Sequence, residues 1–330
     1  MTEPSTQRAV SHDAVGGFSH DAAGAAGGGT AASGAAEGGT AAGLARGEWL
    51  RLEDKARQLR RDLLDTTFWA GSGHIGGGSS VMDILVALYY KYAKIKLDQP
   101  DWPERDRVIV SKGHAGIALA PLLVDLGWND RALLKNFNLT NSPMGIHLDK
   151  HKVVGLDAST GSLGHGLPIA VGTALAARVL GQAYRTWCVL GDGELNEGSN
   201  WEAAMSAAHY RLDSLIALVD RNGHMIDGPT EEVMAIEPLA AKFTAFGFNT
   251  LVVDGHSFPA LAGAIEAALA SRGQPTCVIC NTVKGAGIDF MEDNYIWHYG
   301  ALDEAKYAQA GASLEAYHQR RRAAAEREGA

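Results

Sequence analysis

Five short apolar runs, each closed by a polar turn and separated from the next by a helical pattern, leave this 330-residue chain few folds to choose from. The runs are Val108–Val110 before Ser111-Lys112-Gly113-His114, Thr186–Leu190 before Gly191-Asp192-Gly193, Leu215–Val219 before Asp220-Arg221-Asn222, Leu251–Val253 before Asp254-Gly255-His256, and Thr276–Cys280 before Asn281-Thr282-Val283-Lys284-Gly285. Helical patterns fall at about 115–126, 164–180, 197–209, 236–246 and 258–271. Continuous apolar strands alternating with helices predict an α/β fold, a parallel sheet with helices on both faces. Such sheets bind ligands beyond the carboxyl ends of their strands, where these polar turns fall. Upstream, apolar residues from Trp49 to Phe68 predict a helix over 48–69. The glycine-rich stretch Gly71–Gly78 reads as the turn that stops it, before a second helix over Val81–Tyr92, and a polar helix over about Asp303–Arg327 closes the chain.

With 46% apolar and 20% charged residues the chain has material for a sizeable core. Residues 1–46 do not share it. Eleven of the forty glycines fall in residues 1–47, among Ala, Ser and Thr, with almost no large apolar side chain. Such a segment buries too little to offset its backbone entropy, so 1–46 is expected to be a disordered Gly/Ala-rich leader and 47–330 a single domain. No apolar run approaches the roughly 20 residues that span a bilayer, and no secretory signal is visible, so neither a membrane protein nor export is expected. Three cysteines make no disulfide framework, which suits a reducing cytoplasm. A net charge of −9 argues against nucleic-acid binding.

The most specific motif is Gly191-Asp192-Gly193-Glu194-Leu195-Asn196-Glu197-Gly198, with Asn222 thirty residues after Asp192. A strand delivers Asp192 at its end, Gly193 lets a backbone N–H approach an anion closely, and a helix starting near Glu197 aims its free N–H groups at the same place. The next strand is expected beside the first, bringing Asn222 to the same edge. A carboxylate, an amide oxygen and a nearby main-chain carbonyl suit Mg²⁺, which takes oxygen ligands and shares them with substrate phosphates. Either residue alone reads as an ordinary turn residue; together they point to a metal–diphosphate site.

Here the chain resembles the thiamine diphosphate enzymes, and the string GDGELNEGSNWEAAMSAAHYRLDSLIALVDRNGHMIDGPT resembles the diphosphate-binding domain of transketolases. Further matches run in order: Ser72-Gly73-His74, Ser111-Lys112-Gly113-His114, Met144-Gly145-Ile146-His147, Ser159-Thr160-Gly161-Ser162-Leu163-Gly164, Asp254-Gly255-His256, Thr282-Val283-Lys284-Gly285 and Trp297-His298. The resemblance implies thiamine diphosphate and Mg²⁺ as cofactors. It implies Asp192, Asn222 and the main-chain carbonyl of His224 as metal ligands, and Gly193 and His298 on the diphosphate with Lys284 close by. Gly161, Ser162 and Leu163 would hold the cofactor through the main chain, His74, His114 and His147 would line the substrate side, and Glu197 would be a buried acid in a proton network across the subunit interface. Histidines suit such a pocket because they titrate near neutrality. The reaction implied is transfer of a two-carbon ketol unit from a ketose, phosphorylated or not, to an aldose, phosphorylated or not.

Full transketolases continue into a pyrimidine-binding domain that has no counterpart here. The resemblance is therefore to the N-terminal half of a split transketolase, active with a C-terminal subunit that carries the pyrimidine-binding domain, in an α2β2 heterotetramer. His165 stands where many transketolases have Gln, and the segment around His147 lacks their usual Pro-Glu, so the sugar preference stays open. Alternatives are a component of a deoxyxylulose phosphate or dihydroxyacetone type synthase, and a non-catalytic cofactor-binding relic.

Several motifs are decoys. Gly71-Ser72-Gly73-His74-Ile75-Gly76 fits a dinucleotide fingerprint but follows a charged helix rather than a strand. Cys277 and Cys280 form a C-x-x-C, yet in a strand they point to opposite faces, so core cysteines are expected. Arg320-Arg321-Arg322 reads as a solvated helix face. His12, His20, His151, His209, His256 and His318 read as ordinary polar residues.

Overall fold

The computed structural model describes residues 44–328. Almost all of the expected leader therefore lies outside the described residues; those described belong to one compact unit, Ala41–Ala330.

Five parallel strands, β1 (Arg107–Val110), β2 (Thr186–Gly191), β3 (Leu215–Arg221), β4 (Asn249–Asp254) and β5 (Thr276–Asn281), form one sheet in the order β1-β2-β3-β5-β4. All five expected runs are strands, each extended by a few residues at most. β2 pairs with β3 from Thr186↔Leu215 to Gly191↔Asp220, so Asp192 and Asn222 leave the sheet at the same edge. Helices α1 (Arg46–Ala70), α2 (Ile75–Ser80), α3 (Met82–Ala87), α4 (Gly116–Asp125), α5 (Gly166–Val179), α6 (Gly198–His209), α7 (Thr230–Val233), α8 (Leu239–Ala245), α9 (Phe258–Ala270) and α10 (Glu304–Glu328) complete the order.

The sheet separates two cores. On one face Val108, Val110, Trp187, Val189, Ile216, Leu218 and Val278 pack against α1, α3, α4 and α9. On the other Ile109, Cys188, Leu190, Leu215, Ala217 and Ile279 pack against α5, α6 and α8. Cys280 belongs to the first core and Cys277 to the second, as strand alternation requires. All three cysteines are free and buried, and burial pushes their thiols up. No described helix is long and apolar enough to cross a membrane.

Three expectations need correction. The Gly-rich stretch is not a turn throughout. Gly71, at φ +74°, caps α1, but Ile75–Ser80 is a fully buried helix. Its glycines sit where side chains have no room: a Cβ on Gly76 would lie 2.6 Å from the Trp297 carbonyl oxygen, and one on Gly78 2.9 Å from Leu63 Cδ1. Packing overrides the weak helix propensity of glycine. The single helix expected over Val81–Tyr92 is α3 followed by a π-helical turn at Leu88–Tyr92.

Arg321 is not solvated. It is half-buried where α10 packs on α1, donating from Nε to Glu53 Oε2 (2.7 Å) and from Nη1 to Asp83 Oδ2 (3.3 Å). Arg60 makes a bidentate pair with the same Asp83 (2.9 and 2.7 Å), and His256 Nδ1 lies 2.8 Å from it. Burial alone would raise the Asp83 carboxyl, but Arg321 and Arg60 hold it well below the usual carboxylate range. His256 is thus a structural residue, whose Nε2 also accepts the Val283 N–H (2.9 Å).

Candidate active site

The loops at the carboxyl ends of β1, β2, β3 and β5 surround a cleft of about 280 Å³. It gathers His74, His114, His147, Gly161, Leu163, Asp192, Gly193, Asn222, His224, Lys284 and His298, expected sites scattered from position 74 to position 298. Ser162 lies outside, exposed in the neighbouring groove with His165 and Ile169.

Asp192 follows β2 directly and is 2% exposed. Its Oδ2 accepts from the Gly223 N–H (2.8 Å) and from Thr230 Oγ1 (3.1 Å), tying it to the loop after β3. Burial and the neighbouring Asp220 carboxylate raise its pKa, which favours a cation beside it. Asn222 turns Nδ2 toward Ser80 Oγ (3.3 Å) and Asp220 Oδ2 (3.5 Å), while Oδ1 accepts from the His224 N–H (3.2 Å). The amide orientation is therefore fixed by acceptors behind it. With the His224 carbonyl, the donors are all oxygen, as a hard cation requires.

Three histidines form a triangle: His74 and His114 have ring centroids 5.2 Å apart, His74 and His298 5.2 Å, His114 and His298 5.3 Å. His147 stands 6.3 Å from His74. Two elements carry His74 and His298 into register, because Gly73 and Gly300 exchange backbone hydrogen bonds of 3.0 Å in each direction. Burial, then His147 and the ammonium groups of Lys112 and Lys284, brings His74 down to about 4. Burial and Lys284 bring His298 to about 3, and burial with Lys112 holds His114 well below the usual range. All three rings are neutral at pH 7.

Lys284 is 1% exposed and donates to the carbonyls of His224 (3.3 Å) and Met225 (3.0 Å). It also donates to His298 Nδ1 (2.9 Å), which leaves the His298 ring hydrogen on Nε2. Burial and Lys112 lower Lys284 to about 8. Among the described residues it makes no ion pair, the Asp192 and Asp220 carboxylates acting on it only from a distance, so the cleft carries a buried cation next to neutral histidines.

Four positioning residues were not singled out in the sequence. Lys112 forms a buried ion pair with Asp220 and donates to the Gly77 carbonyl (3.1 Å). Asp220 also accepts from Ser80 (2.7 Å) and Thr282 (2.5 Å). Thr230 holds Asp192, and Glu194 is a second buried carboxylate. Lys112 and Glu194 stand inside recognisable motifs, but nothing local distinguishes an inward Lys or Glu from a solvated one.

Within the single chain Glu197 is exposed at the N-cap of α6, with φ −74° and ψ 125°, and does not line the cleft; its expected place is at a subunit interface. A separate carboxylate, Glu194, is buried inside the chain, 2% exposed. A one-turn 3₁₀ helix, Gly193–Asn196, intervenes, so the helical turn beginning at the cleft is this one and α6 starts beyond it. Of the histidines read as ordinary, His12 and His20 lie outside the described residues, and His318 is buried with both ring nitrogens unpaired.

Residues 52–319 match the family model of the transketolase thiamine diphosphate-binding domain. The chain belongs to that family. It is 40% identical over 264 residues to the 6-deoxy-6-sulfo-D-fructose transketolase subunit SqwG of Clostridium sp. (strain MSTE9), covering 80% of this chain and 96% of that protein. It is 36% identical over 259 residues to one of the subunits of the apulose-4-phosphate transketolase of Phocaeicola vulgatus, covering 78% and 92%. Among solved structures, the transketolase of Campylobacter jejuni superposes with a TM-score of 0.76 at 30% identity, covering 83% of this chain and 46% of that one. The chain thus corresponds to nearly the whole of the split subunits and to just under half of the solved transketolase.

Proposed function

We propose that this protein is the N-terminal subunit of a two-component transketolase, transferring a two-carbon ketol unit from a ketose or ketose phosphate to an aldose or aldose phosphate together with a C-terminal subunit that carries the pyrimidine-binding domain. Transketolase-type transfer is the chemistry of the family to which the chain belongs. The observation that carries the reading is one cleft gathering Asp192, Asn222 and His224 at one strand edge, a buried lysine that makes no ion pair, and a triangle of neutral histidines. The length match to subunits of split enzymes supports a separate partner, and we take the assembly as α2β2 in the cytoplasm.

The donor chemistry of the cleft fits magnesium and thiamine diphosphate. Asp192, Asn222 and the His224 carbonyl would hold the metal, and Gly193, Lys284 and His298 would receive the diphosphate. Bound thiamine diphosphate supplies an electron sink for breaking the carbon–carbon bond of the ketose. The chain contributes the rest. Lys284 brings positive charge to the anion, and His298 presents its Nε2–H as a neutral donor. His74 and His114, both uncharged, and His147 at the open side are placed to exchange protons with sugar hydroxyls. Gly161 and Leu163 close the cleft by their main chain.

The test is reconstitution. The full chain mixed with the product of a neighbouring gene that bears pyrimidine-domain motifs, thiamine diphosphate and Mg²⁺ should transfer ketol units across a panel of ketoses and aldoses, free and phosphorylated, with negligible turnover by the chain alone. Robust transfer without the second polypeptide overturns the two-component reading.

A further inference from the structure

The chemistry proposed for the cleft leaves unused the most completely engaged carboxylate in its wall. Glu194 is 2% exposed and accepts three hydrogen bonds from three separate segments. Its Oε1 takes the Ser111 hydroxyl, from the turn after β1, and the Gly164 N–H (3.0 Å), from the segment ahead of α5. Its Oε2 takes the Gly191 N–H (3.1 Å), at the end of β2. Its own main-chain carbonyl is held by Asn200 Nδ2 (2.8 Å), which anchors the 3₁₀ turn to α6.

These segments pack backbone to backbone. A Cβ on Gly113 would lie 2.5 Å from the Thr160 carbonyl, one on Gly166 would collide with Ser111, and one on Gly161 would lie 3.0 Å from the His147 ring. The Gly164 N–H bond to Glu194 ties the 160–166 segment to the end of β2.

We infer that Glu194 is a positioning residue for cofactor binding: its carboxylate clamps Gly161–Gly164 to the ends of β1 and β2, so that the main chain of Gly161 and Leu163 is already in place when the ligand enters. This rests on the thiamine diphosphate reading of the cleft. The clamp requires a carboxylate. Two oxygens accept from donors on both sides, whereas an amide in either flip opposes one backbone N–H with an NH₂ group. An opposed, buried N–H is left unsatisfied, and the cheapest relief is for the glycine-rich segment to move away. Preorganisation of this kind acts on affinity, because an already ordered segment loses less entropy on binding.

The experiment uses the full chain and Glu194→Gln, with Ser111→Ala as a milder variant should Glu194→Gln fold poorly. Amide hydrogen exchange without cofactor should be at least about tenfold faster in residues 161–166 of Glu194→Gln and unchanged in β3 and α9. Titration calorimetry with thiamine diphosphate and Mg²⁺, on each variant reconstituted with the C-terminal subunit, should show affinity weakened about tenfold or more for Glu194→Gln, and a few-fold for Ser111→Ala, at temperatures where the variants remain folded. A purely structural residue would lower the melting temperature without altering local exchange or the affinity of the folded protein. Wild-type exchange in 161–166, or wild-type affinity in Glu194→Gln, overturns the inference. Failure of the wild-type chain to bind thiamine diphosphate even when reconstituted with the C-terminal subunit would instead overturn the cofactor reading, and the exchange comparison would still decide whether Glu194 holds the segment.

Discussion

Asp192 and Asn222 were legible because a strand end, a flanking glycine and a thirty-residue spacing restrict what they can do, and β2–β3 pairing brings them to one edge. The same cannot be said of Lys112 and Asp220, whose buried ion pair joins the turn after β1 to the last residues of β3. Two changes test the wall of the cleft. Asp192→Ala removes the carboxylate of the cation site, and Mg²⁺-dependent binding of thiamine diphosphate should fall below detection by calorimetry; unchanged affinity would refute the metal role. Gly113→Ala places a methyl 2.5 Å from the Thr160 carbonyl. It should displace the 160–161 backbone and cost about 1–3 kcal/mol of stability by overpacking, read by chemical denaturation, together with at least a few-fold weaker cofactor binding.

The helices show where periodicity stops being informative. α2 carries three consecutive glycines and reads as a turn, because propensity is local whereas the absence of space beside Trp297 and Leu63 is not. α10 was legible as a polar helix, but its packing against α1 through Arg321 was not. The same interface holds His318, which is 2% exposed with no partner on either ring nitrogen. Arg57, Arg60 and Glu53 of α1, Asp83 of α3, and Glu315 and Arg321 of α10 surround it. Burial, then Arg60, brings its pKa to about 2. The sign follows. The unfolded chain protonates this histidine below about 6.5 while the folded chain does not. Stability present above that pH is lost as pH falls through it. His74 and His298 act in the same direction. His318→Leu should therefore flatten the fall in unfolding free energy between about pH 6.5 and 4, measured by urea denaturation at several pH values. An unaltered slope would show that His318 takes up its proton with α10 in place.

We read the molecule as a whole as a half-site. Beside the cleft, sharing His147 and Gly161 with it, lies a groove where Ser162 and His165 are exposed. That groove is where we place the second subunit. The domain division, with a leader through residue 46, is our proposal from composition. Deleting residues 1–43 should shift the melting temperature by less than about 2 °C, since the segment has almost no large apolar side chain to bury. A larger drop in a thermal melt would mean that it docks.

By itself the sequence determined the α/β class, the strand ends and most of the residues that gather at one cleft. Those depend on alternation, on turn chemistry and on spacing between neighbours along the chain. Only the tertiary structure decided that Glu194 is buried within the chain, that three histidines from distant segments form a neutral triangle, and that Arg321 pairs with Glu53 and Asp83. Burial and charge pairing depend on what other segments bring to the same place, and a desolvated group takes its protonation state from those neighbours rather than from its own position in the chain.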